Sequence, residues 1–146
     1  MTTISRSALV PHSAESMFDL VNDVDAYKEF LPWCSHSQVL SRDGEEIRAT
    51  ISIAKGGIEK SFTTLNRLHH AKMMEMRLIE GPFRHLEGYW RFQRLRDDAC
   101  KVSLDLEFEF ANSLVRLAFG KIFTQVVNSL VDAFVQRAEE IYGPGR

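Results

Sequence analysis

Four side chains capable of metal or nucleophilic chemistry come first: Cys34, His36, His69 and His70. A thiolate and imidazoles could share a zinc ion. A Cys-x-His step followed much later by two adjacent histidines matches no structural or catalytic zinc spacing. These residues are expected to be a packed cysteine and surface histidines, with no metal. The second cysteine, Cys100, is too isolated to build a disulfide framework, so both read as reduced thiols. His85, Glu87 and Arg91 fall on one face of an alternating run, but that face is the wet one. There is no phosphate-cradling glycine loop, nucleophile elbow or HExxH helix. The expectation is therefore a binding protein with no catalytic residue and no cofactor. The remaining polar chemistry is basic. Arg84, Arg91, Arg94, Arg96 and Lys101 lie close together and form a candidate phosphate-contacting surface.

The elements that would position these residues are delimited by turn signals. Ile4, Ala8 and Val10 alternate with polar residues until Pro11, which suggests a strand. Ser13 then precedes Ala14-Glu15, with Met17, Phe18, Leu20 and Val21 at helical spacing. A short helix is expected there, followed by another near Asp25–Phe30 that Pro32 ends. Asp43-Gly44, Gly56-Gly57, His69-His70-Ala71, Gly81-Pro82 and Asp97-Asp98 separate six further strands. Leu86, Gly88, Trp90 and Phe92 share one face of a strand, as do Val102, Leu104, Leu106, Phe108 and Phe110 of the next. One side of that sheet is therefore buried. A long helix closes the chain over residues 113–142, about 45 Å at the usual rise. Asn112 or Ser113 should cap it, and Gly143-Pro144-Gly145 should stop it. Its expected apolar stripe is Phe119, Ile122, Phe123, Val126, Val127, Leu130, Phe134, Ala138 and Ile141.

An apolar sheet face and an apolar helical stripe must cover one another. The expected fold is α+β: one domain over residues 1–146, with a curved seven-stranded antiparallel sheet around the C-terminal helix. Hydrophobic residues make up 45% of the 146 and charged residues 26%, a globular composition. The net charge of −2 argues against an obvious polyanion binder, and no DNA partner is expected. Charge is uneven, however: residues 55–101 carry ten basic and six acidic side chains. The N-terminus lacks the apolar run of a secretory signal, and no stretch approaches a membrane span. A cytoplasmic protein, peripheral to the inner membrane at most, is the expectation.

The order of elements resembles the helix-grip fold of the START and polyketide-cyclase-like superfamily. Val10-Pro11-His12-Ser13, Met17-Phe18-Asp19-Leu20-Val21-Asn22-Asp23-Val24, Tyr27 and Phe30-Leu31-Pro32-Trp33-Cys34 are similar to the coenzyme-Q-binding branch of that superfamily. So is the run from Gly81-Pro82-Phe83 to Trp90-Arg91-Phe92. Lys28 stands where that pattern has proline, which leaves the helix before Phe30 less constrained. The resemblance implies a non-enzymatic carrier of a hydrophobic ligand, a polyprenyl quinone such as ubiquinone, supporting respiration. The branch also includes bacterial ribosome-association toxins, so the large ribosomal subunit is a second implied partner. Arg84, Arg91, Arg94, Arg96 and Lys101 would be the contact surface, and its binding would be salt-dependent. A polyketide cyclase or a general lipid carrier is a further alternative.

The aligned apolar faces and the resemblance together define an expected cavity. Trp90, Phe92 and Phe108 of the sheet would face Phe119, Phe123 and Val127 of the helix. Leu31, Trp33 and Phe83 would stand near the entrance. Each of these is also what an ordinary core contains. A ligand site in this fold is expected to reach at least ~300 Å³.

Overall fold

Glycine and aspartate pairs break the alternating runs into strands that can only fold back on their neighbours. Gly56 and Gly57 take φ values of 61° and 81°, the left-handed pair that a two-residue hairpin requires. In the computed structural model, which describes residues 1–143, the strands are β1 (Thr2–Val10), β2 (Cys34–Asp43), β3 (Glu46–Lys55), β4 (Ile58–His69), β5 (Met73–Glu80), β6 (Phe83–Arg96) and β7 (Ala99–Phe110). They form one sheet in the order β1-β7-β6-β5-β4-β3-β2, with every pairing antiparallel. The chain therefore meanders from β2 to β7 and brings β1 to the far edge. Helix α1 (Ala14–Asn22), a 3₁₀ turn (Val24–Ala26) and α2 (Tyr27–Phe30) carry it between the two edges.

Helix α1 starts at Ser13, whose hydroxyl accepts the Ser16 N–H at 3.0 Å. That satisfies one of the donors a helix start leaves open. The departure at Lys28 has a structural reason. Its backbone N–H donates to Ser37 Oγ at 3.3 Å, and its ammonium donates to the Ser37 carbonyl at 3.0 Å. Proline could make neither bond, so Lys28 ties α2 to β2 instead.

The long helix α3 (Ser113–Tyr142) begins at Asn112, whose side-chain oxygen accepts the Val115 N–H at 2.9 Å. It ends at Gly143, with φ of 86° and an N–H bonded to the Glu139 carbonyl at 3.0 Å. Pro144 and Gly145, expected to reinforce that stop, lie outside the described residues. The buried stripe is Phe119, Phe123, Val126, Val127, Val131, Phe134 and Ala138. The stripe differs from the expected one: Val131, not expected there, is buried, Ile122 and Leu130 are half-buried, and Ile141 is exposed. Ile141 lies in the last turn of the helix, where the sheet no longer covers it.

At Gly88 of β6 the backbone lies close against β7. A Cβ there would stand 2.6 Å from Leu106 Cδ1 and 3.0 Å from the Asp105 carbonyl. The missing side chain lets β6 and β7 close over the core.

Candidate functional site

Between the sheet and α3 the two apolar faces do not meet everywhere. A cavity of about 80 Å³ remains. Ile51 and Ile53 of β3, Met74 and Met76 of β5, Leu86 and Trp90 of β6, and Leu104 and Leu106 of β7 form its sheet wall. Phe123, Val126, Val127, Leu130 and Phe134 of α3 form the opposite wall. Val24, Tyr27 and Trp33 close the side between β2 and α3. The volume is well under the ~300 Å³ expected of a ligand site. It is a cavity of ligand-site composition but not of ligand-site size.

Four residues anticipated from the sequence line it: Trp33, Trp90, Phe123 and Val127. The other five do not, and this corrects the expectation. Phe83, Phe108 and Phe119 belong to an aromatic cluster around Phe123, with ring centroids 4.8, 4.8 and 5.7 Å from it respectively. Aromatic contacts of this kind stabilise by about 0.5–1.5 kcal/mol each beyond burial, which closes that end of the cleft. Phe92 packs edge-on against Phe18 at 5.5 Å. Leu31 is buried, and its backbone closes a turn: its N–H donates to Tyr27 and its carbonyl accepts from Cys34, both at 2.9 Å.

Polar lining is sparse. The Tyr27 hydroxyl donates to the Val21 carbonyl, and burial, then the Asp23 and Cys34 charges, push its pKa far above the ordinary phenol value. Sequence reasoning missed Thr64 and Asn66 of β4, which are 6% and 4% exposed and face the cavity. The Thr64 hydroxyl donates to Asn66 Oδ1 at 2.8 Å. The signal was present: Phe62, Thr64, Asn66 and Leu68 share the inward phase of β4, and two of the four are polar.

The candidate chemical residues are separated. Cys34 donates its thiol to the His36 carbonyl at 3.3 Å, and burial raises its pKa. His69 meets Glu75 at 2.9 Å on the exposed surface. Among the described residues no three His, Cys, Asp or Glu side chains come together as a metal site.

The basic residues are also dispersed and mostly paired. Arg91 bonds Asp105 at 2.9 Å, Arg94 bonds Asp97, and Arg96 bonds Asp98 at 2.9 Å. Arg84 lies at the other end of β6, 4.0 Å from Glu109. Lys101 sits on β7 opposite Gln93. Glu87 and Glu107 face each other across the same pair of strands, so this surface is not uniformly basic.

Two surface features border the site. A groove of about 570 Å³ runs between α2 and α3 along Phe30, Pro32, Ala133 and Arg137, and Trp33 lines both this groove and the interior cavity. The Arg137 guanidinium stacks 4.9 Å over the Phe30 ring. At the start of α3, Leu114 and Leu117 are 78% and 80% exposed beside Arg116 and Lys121. By length and mean hydropathy α3 alone could span a bilayer. Its inner face, however, is covered by the sheet.

Comparison with known proteins places this geometry. A family model described as polyketide cyclase / dehydrase and lipid transport matches residues 10–135. The ribosome association toxin RatA of Pseudomonas aeruginosa is 51% identical over 97% of this chain and 99% of its own. A mitochondrial coenzyme Q-binding protein homologue of Xenopus laevis is 32% identical over 95% of this chain and 59% of its own. A Streptomyces aromatase/cyclase structure superposes with a TM-score of 0.84 at 15% identity, covering 99% of both chains, a likeness of fold alone.

Proposed function

The chain belongs to the polyketide cyclase, dehydrase and lipid-transport family, and from that premise we propose that it binds a neutral hydrophobic molecule, a polyprenyl quinone, between the sheet and α3 without transforming it. The observation that carries this reading is the apolar cavity between two elements that otherwise pack closely. No lining side chain carries a charge, so there is no acid–base pair to act on a bound ring. Tyr27, the one ionisable group, is engaged with a backbone carbonyl and held protonated by burial. The coenzyme Q-binding relative supports the ligand class.

An 80 Å³ cavity cannot take a quinone as it stands, so its walls part on binding. Trp33 is the side chain to move. It is half-buried, it follows the helix-ending Pro32, and it lines both the cavity and the outer groove beside Phe30. Its outward rotation joins the two spaces. The flexible side chains of Met74 and Met76 can adapt to the ligand behind it. Leu114 and Leu117, flanked by Arg116 and Lys121, fit a peripheral contact with an anionic bilayer from which such a ligand is drawn.

Titration with decylubiquinone, followed by tryptophan fluorescence, tests the reading, because Trp33 and Trp90 both line the cavity. The expected result is saturable quenching that Val127→Phe, which fills the cavity from α3, weakens at least tenfold while the protein stays folded. No saturable quenching in the unaltered protein contradicts the proposal.

A second reading rests on a separate observation, the names of relatives 45–51% identical along nearly the whole chain. Association with the ribosome is a surface property and is compatible with a filled cavity. The paired arginines and the neighbouring Glu87 and Glu107 do not favour the β6–β7 face as the contact. Co-sedimentation with the large subunit at low salt, lost as salt rises, supports ribosome binding. Its absence at low salt removes it.

A further inference from the structure

We infer that Asn66 is the anchor for the ligand's head, and that the ligand therefore carries a neutral hydrogen-bond acceptor, a carbonyl oxygen, at the end of its apolar body. This rests on the cavity reading above and narrows it. Asn66 is 4% exposed and lies on β4 between Ile47 of β3 and Met76 of β5, in an otherwise apolar stretch of wall. The Thr64 hydroxyl donates to its amide oxygen at 2.8 Å. That bond fixes the orientation of the amide and uses only its acceptor. Among the described residues its two N–H donors show no protein partner, and the nitrogen is not one of the sealed, unpaired buried atoms, as fits a group that borders the cavity.

An amide whose donors face an apolar cavity is less favourable there than in water, and an apolar side chain would fill the same wall without that cost. Such local violations of packing logic concentrate where a protein binds something. The chemistry of the partner follows from the surroundings. Paired donors call for an acceptor. No lining residue is cationic, and an unpaired carboxylate or phosphate would be costly to bury. A neutral carbonyl meets both conditions; a free fatty acid does not. Trp33 lies at the side facing the groove, so the apolar body extends toward it while the carbonyl meets Asn66.

The test is a competition. Liposomes loaded with equal amounts of decylubiquinone and decylbenzene, which has a similar tail and no carbonyl, are incubated with protein. The liposomes are phosphatidylcholine alone, without the anionic lipid that would carry the protein with them; the protein that does not float is recovered, and both compounds are extracted from it and quantified. Unaltered protein is expected to take up both, with a quinone-to-hydrocarbon ratio that Asn66→Leu lowers about tenfold, the loss of roughly one good hydrogen bond. Asn66→Leu should fold with a melting temperature at or above that of the parent. Thr64→Val, which leaves the amide in place but frees its orientation, should lower the ratio in the same direction and gives an independent readout. A ratio unchanged in both variants, with uptake intact, overturns the anchor while leaving the cavity reading in place. Uptake of neither compound by the unaltered protein overturns both.

Discussion

At the residue scale, the protein holds several ionisable groups where ionisation is unfavourable. Burial pushes the Cys100 thiol up to about 11, with the Glu15 charge adding to it. Burial likewise raises Cys34, Tyr27 and Tyr142. An acid whose folded pKa lies above its unfolded value binds its proton more tightly in the folded state. Its contribution to stability is complete below the unfolded pKa and is lost as pH rises through the folded one. Stability should therefore hold to about pH 9, the ordinary thiol value, and fall beyond it. Urea unfolding midpoints measured from neutral pH upward check this, with Cys100→Ala expected to flatten part of the fall. A midpoint that rises through this range contradicts the assignment. The same burial makes both thiols poor nucleophiles at neutral pH.

At the element scale, much was legible before any coordinates. Strict alternation in β6 and β7 gave both strands and their buried faces, because Leu86, Gly88, Trp90 and Phe92 and their partners Val102 to Phe108 keep one phase without interruption. The bounds of α3 followed from Asn112 and Gly143. What was not legible is which aromatic side chains pack and which border empty space. Phe108 and Phe119 read like Trp90 and Phe123 in the sequence, yet the first two pack within the aromatic cluster, whereas Phe123, at its centre, and Trp90 also border the cavity. A cavity is a difference in packing between residues of the same type, and periodicity is blind to it. Thr64 and Asn66 were readable as polar residues in an apolar phase, but only a structure shows that their phase faces a cavity. At the start of α3, Leu114 and Leu117 are exposed rather than buried, which leaves them free for contact with a surface. Flotation with anionic liposomes should carry the protein upward, and Leu117→Glu should reduce the floated fraction several-fold. Equal flotation of the two proteins would remove this surface from the membrane contact.

At the scale of the whole molecule, a single long helix held by one curved sheet leaves an interior that comes up to the surface groove at Trp33, which lines both spaces. The aromatic cluster around Phe83 seals the opposite end. The interior cavity and the exposed leucines at the start of α3 are thus separate parts of the molecule. The central claim is that the interior is occupied in use, and native mass spectrometry of the purified protein, with organic extraction and lipid analysis of the bound species, tests it most directly. The account predicts a co-purifying quinone at near-stoichiometric amount, diminished in a folded Val127→Phe variant. Protein that emerges empty, and stays empty after exposure to quinone-loaded liposomes, would contradict it.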